Sequence, residues 1–288
     1  MIAGEIRRPT NRTYQERGSI HDDATAQRLG FRGGTIAAAT HLDQFPPVLV
    51  SVFGAEWFET GCLSLYFRHA TVDGEPVQVL LADPPVQREA GAQCAASMVT
   101  PDSTIVAEGT ASVGTVDEPS ALYLRDLRHD PSGLRILSAL SVDMEIDCAP
   151  ARVDGQLQRA RLSDGLISEP LDWYGQSSPW GGQIATPSAI VGLFTEAAAS
   201  ALLPRIRSAV GMWGAIEVRH HREPLFTDHD YVLTGSVVAL GSSPKTEILW
   251  YDMSAADSHG VVASMRILTR FVKASSTLYE GADESPAQ

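Results

Sequence analysis

His21 stands in the stretch Ser19–Phe45 beside Asp22 and Asp23, followed by the pair Gly33-Gly34 and the small-residue run Ala37-Ala38-Ala39. An imidazole next to carboxylates can move protons near neutral pH, because histidine changes charge there. Small residues beside it would let a thin substrate approach the backbone. The same residues have a simpler reading. Ser19 or Asp22 can cap a helix start, Asp23 is favoured by the helix dipole, and two glycines allow close packing. Other histidines carry less. His41 and Asp43 on a helix make a local hydrogen bond or face a pocket. His220-His221 alternate across a strand, and His229 sits in a turn without matching metal ligands. No G-x-S-x-G, Walker or dinucleotide glycine motif occurs, so no cofactor and no metal are expected.

The elements that position His21 come from a 288-residue chain, long enough for two ordinary domains. A hydrophobic content of 44% with 20% charged residues describes a globular protein with a core. The net charge of −13 and the absence of a basic cluster exclude nucleic acid as the expected partner. Cys62, Cys94 and Cys148 lack metal-ligand spacing and read as free thiols in a reducing cytoplasm. The N-terminus has no apolar core for export. Ala189–Leu203 is short for a membrane span and carries Glu196, so no membrane partner is expected.

An internal repeat sets the architecture. The frame G-G-x-I-A occurs from Gly33 and again from Gly181, 148 positions on; "GCLSLYF" from Gly61 matches "GAIEVRH" from Gly214 at 153; "IVAEGTASV" from Ile105 matches "VVASMRILT" from Val261 at 156. The drifting offset is what loop insertions produce. Each copy predicts a helix, Thr35 to about Phe53 and Pro187 to about Leu203, with a kink or restart at Pro46-Pro47 in the first. Strands follow in each: "CLSLYFRHA", "EPVQVLLAD", "GAQCAASMV" and "TIVAEGTASV", then "GAIEVRHHR", "DYVLTGSVVAL", "KTEILWYDMSA" and "GVVASMRILTRFVK". The expected class is α+β, with units at 1–116 and 156–273, a connector at 117–155 and a fraying tail at 274–288.

This arrangement resembles the double hot dog architecture, two tandem units each wrapping an antiparallel sheet around a long helix. Residues Glu16 to about Thr40 resemble the hydratase-2 motif of the MaoC-like dehydratases. The pattern of Trp57, Gly61, Leu63, Phe67, Gly74, Glu75 and Val77 is similar to the segment that follows in that family. The resemblance implies that His21 is the catalytic histidine, with Glu16 in the place of the usual aspartate. Asp23 falls on an acidic position, and Ala37-Ala38 on a His-Gly pair whose backbone N–H polarises a thioester carbonyl. It implies hydration or dehydration of an α,β-unsaturated acyl thioester. Glu16 and His21 grip one water, and the Ala38 amide faces the enolate oxygen. Glu for Asp moves the carboxylate by about 1.5 Å.

Asp23, Gly34, Ala37, Ala38, His41 and Trp57 are the expected substrate-binding residues. At the offset of 148, Asp164 and Glu169 replace Glu16 and His21, and no histidine occurs from Pro131 to Arg219. One site per chain is expected, completed by surface from the other half, with Trp173, Tyr174 and Trp180 either walling it or filling core. A repurposed thioesterase or cyclase and a non-catalytic ligand-binding protein are the alternatives. The expected partners are a small-molecule substrate, CoA- or carrier-protein-linked, and a second copy of the chain as homodimer. The expected location is the cytoplasm.

Overall fold

The computed structural model describes residues 1–280 except 14, 84–89, 125, 126, 128, 166, 168 and 169. Ten strands form one sheet: β1 (Ile2–Arg7), β2 (Cys62–Phe67), β3 (Val77–Leu81), β4 (Gly91–Val99), β5 (Ile105–Gly114), β6 (Glu145–Asp147), β7 (Gly211–His220), β8 (Val232–Ser242), β9 (Thr246–Asp257) and β10 (Gly260–Val272). Their order is β1-β3-β4-β5-β2-β7-β10-β9-β8-β6, so the second half repeats the first in mirror sequence about the β2–β7 seam. The register agrees with the repeat. Leu63 faces Ala111, and Ile216 faces Ile267, reproducing the offsets of 153 and 156. All named strand pairs are antiparallel, as alternating side chains with one buried face favour.

The inner face of the sheet carries the helices. Where one helix is expected over Thr35 to Phe53, the chain forms α2 (Ala38–Leu42) and α3 (Pro46–Phe53), followed by a short α4 (Trp57–Thr60). Pro46 starts the new helix because it lacks the N–H that the continuing α2 ladder would use. Ahead of them lies α1 (Asp23–Arg28), capped by the Asp22 carboxylate on the Ala24 and Thr25 amides. In the second half, α5 (Gly155–Ser163) precedes α6 (Pro187–Leu202), whose Thr186 hydroxyl caps the Ala189 amide. With the 3₁₀ turn at its end, α6 makes Pro187–Arg205 a 19-residue helix, long and apolar enough to cross a membrane by length and composition. That corrects the expectation that this segment is too short. Here Ile190, Val191, Phe194 and Ala198 of α6 pack into the core.

Strands β1 and β6 have no sequence signature among the expected elements. Both are outer-edge strands with largely exposed faces, where apolar periodicity fades. Gly4 in β1 leaves room for Val48 of α3, whose Cγ2 would lie 2.5 Å from an added Cβ. The expected connector does more than link. Ala121 donates to Thr110 Oγ1 and Leu122 to Ser64 Oγ, each at 3.0 Å. This strap covers a small apolar cluster of Leu122, Ala215, Ala239, Trp250 and Leu268 on the outer face of the sheet. Farther on, the buried Glu247 carboxylate accepts the amides of Arg135, Ile136 and Leu137 at 2.7–3.0 Å.

Candidate functional site

The site begins at a short extended segment, Thr35-Ile36, held on both sides by backbone. Thr35 bridges Val72, Ile36 N–H donates to Thr71 O, and Thr35 N–H donates to Ile20 O at 2.9 Å. That last bond places His21 beside Thr35, and His21 Nδ1 lies 2.7 Å from Thr35 O. A carbonyl only accepts, so Nδ1 carries the proton and Nε2 is the nitrogen left for other work. The His21 backbone is fixed as well, since its carbonyl accepts from Asn11 Nδ2 at 2.8 Å.

Glu16, His21, Ala37, Ala38 and His41 line one cleft of about 680 Å³. Its far wall comes from the second half: Met212, Trp213, Gly214, Thr269 and Arg270. The cleft opens where the seam stops. Pairing of β2 with β7 ends at Tyr66 and Ala215, and beyond it Phe67–Ala70 and Gly211–Gly214 part. A bulge in β7 gives Trp213 its direction. Leu268 pairs with Ala215 but Thr269 pairs with Trp213, so Gly214 is an extra residue. One extra residue flips every later side chain to the opposite face. Trp213 therefore turns inward to the cleft rather than outward with Ala215. The expectation that the other half completes the site did not name these residues, because the expected strand begins at Gly214 and the observed β7 extends it back to Gly211, placing the bulge glycine inside the strand.

Ala37 starts α2 without a side-chain cap, so no side chain covers the first-turn amides, that of Ala38 among them. Because α2 has only five residues, these amides act as local donors with little summed dipole behind them. His41 is buried at 3% exposure, with Nε2 2.8 Å from Thr71 Oγ1 and Nδ1 unpaired among the described residues. Burial pulls its pKa down to about 4.

Three of the expected substrate contacts lie outside the cleft lining. Asp23 Oδ1 accepts the Gly34 amide at 2.7 Å and ties the two ends of this loop together. Gly34 is glycine because a Cβ there would collide with the carbonyl of His21. Its role is to let two backbones cross and so to seat the histidine. Trp57 is core, 1% exposed, with its ring edge-on to Phe58 and His220.

The second unit repeats this frame without its histidine. Ile184 bridges Phe226, Ala185 N–H donates to Leu225 O, and Ile184 N–H donates to Trp173 O. Ile184 is therefore the counterpart of Thr35, at an offset of 149 rather than 148. The place of His21 next to it goes to Tyr174; Glu169, the expected counterpart, lies outside the described residues, and Asp164 ends α5. Tyr174 is 1% exposed. The acceptor at Ile184 O is taken by Gln158 Nε2 at 2.9 Å, and Gln158 Oε1 accepts from Thr186 N–H. Asp43 Oδ1, reaching across from the α2–α3 corner, accepts the Ser188 amide of α6 at 2.8 Å. Trp173 and Trp180 pack edge-on to each other and to Phe58, away from the cleft lining.

No family model matches the sequence, and no curated protein sequence matches it. Solved structures do match. A protein of Chloroflexus aurantiacus described as a MaoC domain dehydratase aligns at a TM-score of 0.59 and 13% identity, covering 94% of each chain. A MaoC-like dehydratase aligns at 0.55 and 13% identity, over 94% of this chain and 96% of that one. A conserved Mycobacterium tuberculosis protein described as having a double hotdog fold aligns at 0.56 and 12% identity, over 94% and 95%. At such identities the likeness is one of fold. Mirror strand order, a helix layer on one face and these neighbours together make the chain a double hot dog protein, structurally akin to MaoC-like dehydratases.

Proposed function

We propose that this protein is a hydro-lyase that adds water to, or removes it from, an α,β-unsaturated acyl thioester. The observation that carries the reading is the His21 Nδ1–Thr35 O bond, which leaves Nε2 as the working nitrogen in a cleft that Glu16 and Ala38 also line. In the hydration direction, Glu16 and His21 hold one water. Its oxygen forms the bond to the β-carbon as a proton passes to the base, and the π electrons move to the α-carbon and the thioester oxygen. The Ala38 amide donates to that oxygen, and the α-carbon then takes a proton from the same pair of side chains, restoring them. Walls drawn from both halves bound the cleft in which these groups act.

Hydration of crotonyl thioester, followed as loss of the enoyl absorbance, tests the reading. Turnover that disappears in His21→Ala is the expected result. Turnover unchanged in that variant, or absent in the wild type across short and long enoyl chains, sinks it.

A further inference from the structure

The rim of the same cleft holds a cation that the water chemistry does not use. Arg270 lines it, half-buried, and among the described residues its guanidinium makes no hydrogen bond or ion pair. Other half-buried arginines have partners: Arg266 grips Asp252 through two bonds at 2.7–2.8 Å, and Arg222 meets Asp257 at 2.5 Å. Arg68 lines the cleft too, and its charge, after burial, lowers the pKa of Arg270. Arg68 itself donates through Nε to Glu108 in an exposed ion pair at 2.8 Å. Two like charges have thus been brought together in a chain whose net charge is −13. Leaving Arg270 unpaired beside a second cation costs free energy that a bound anion would recover.

The backbone is built around this arginine. A Cβ on Gly214 would lie 2.6 Å from Arg270 Nε, so the bulge glycine makes room for the side chain to cross β7. Arg270 follows the outward-facing Leu268 by two residues, which puts it on the outer side of the sheet. His21 and Ala38 stand with the helices on the inner side. The cleft therefore joins an inner reacting end to an outer cationic end.

Resting on the thioester reading above, we infer that Arg270, with Arg68, is a specificity residue that binds anionic oxygens of the substrate at the end remote from the double bond. Those oxygens come either from a carboxylate ending the acyl chain or from phosphates of the carrier, and the two sources separate cleanly in solution. Calorimetry on the full chain would use four saturated thioesters: butyryl-CoA, glutaryl-CoA, and the butyryl and glutaryl esters of N-acetylcysteamine. The anionic ligands should bind about tenfold to a hundredfold more tightly than butyryl-N-acetylcysteamine. A gain that follows glutaryl identifies the carboxylate; a gain that follows CoA identifies the phosphates. Arg270→Gln should erase the gain and Arg270→Lys should keep part of it. Added salt should shrink it in the wild type, a check that needs no folded variant. Equal binding of all four, or a preference that survives both Arg270→Gln and high salt, overturns the inference while leaving crotonyl hydration untouched. Loss of crotonyl turnover with the anion preference intact would instead remove the hydratase reading alone.

Discussion

The two halves carry the same backbone device and use it differently. At Thr35 the neighbouring chain supplies His21, whose Nδ1 spends its proton on the Thr35 carbonyl and whose other nitrogen stays in reserve. At Ile184 the neighbouring chain supplies Tyr174, buried and without a partner for its hydroxyl among the described residues, and Gln158 fills the hydrogen bonds on every side. One frame is left open to a cleft; the other is plugged with a glutamine and an aromatic ring and tied to the first half through Asp43 and Ser188. Duplication thus gave the chain two frames, and side-chain choice made one a cleft and the other a brace.

The largest expected effect tests the brace. Tyr174→Ala should cost about 3–5 kcal/mol of folding stability, the range for emptying an aromatic core position. Urea unfolding measures it, and activity per folded molecule should persist. A variant that folds normally yet loses activity would show that the second frame is a site after all. Next comes the cleft. His21→Ala should lower crotonyl turnover by roughly a hundredfold or more, with a melting temperature close to that of the wild type. Glu16→Gln should act similarly, and Glu16→Asp should be neutral or faster. Loss of stability without loss of activity in His21→Ala would make the histidine part of a helix start. Gly34→Ala should come third, costing about 1–3 kcal/mol because its Cβ collides with the His21 carbonyl. It should also slow turnover by displacing the histidine, which steady-state kinetics on the folded fraction would read.

The last comparison is the pH dependence set by the buried titratable groups. Burial pushes the Asp43 carboxyl up to about 7 from an ordinary 3.8. Its folded pKa lies above its unfolded one, so the group costs stability as pH rises from about 4 to 7. Asp43→Asn should remove that loss, most visibly at pH 8. His220, enclosed by Trp57 and Phe58, and His41 work in the other direction, with burial holding them at about 3 and about 4. Unfolding lets them bind protons, so stability falls with pH below about 6.5. His220→Phe should raise the melting temperature more at pH 5 than at pH 8; equal shifts at both would show that His220 does not titrate on unfolding.

How much of this was legible beforehand depends on range. The eight central strands and α6 announced themselves because each has one buried face and a period that shows it, as in "KTEILWYDMSA" and "PSAIVGLF". Strands β1 and β6 did not, since an edge strand with exposed faces has no such period. His21 could be picked out by its acidic neighbours and the glycines after it, but the same letters spell the Asp22 cap, which is also present. Trp57 and Gly34 looked like substrate contacts; the first is core, and the second is where two backbones cross.

By itself the sequence determined the duplication, the α+β class, the four central strands of each unit and the presence of a histidine ahead of the first helix in one copy only. These rest on local periodicity and on residue types that a linear reading can count. Tertiary structure alone decided that Trp213 and Arg270 line the same cleft as His21, that Tyr174 stands in the histidine's place, and that the repeat there runs at 149. Each of those depends on hydrogen bonds between segments far apart in the chain. A single bulge at Gly214 or a one-residue shift reverses which face a side chain takes, and neither leaves an unambiguous mark on the sequence.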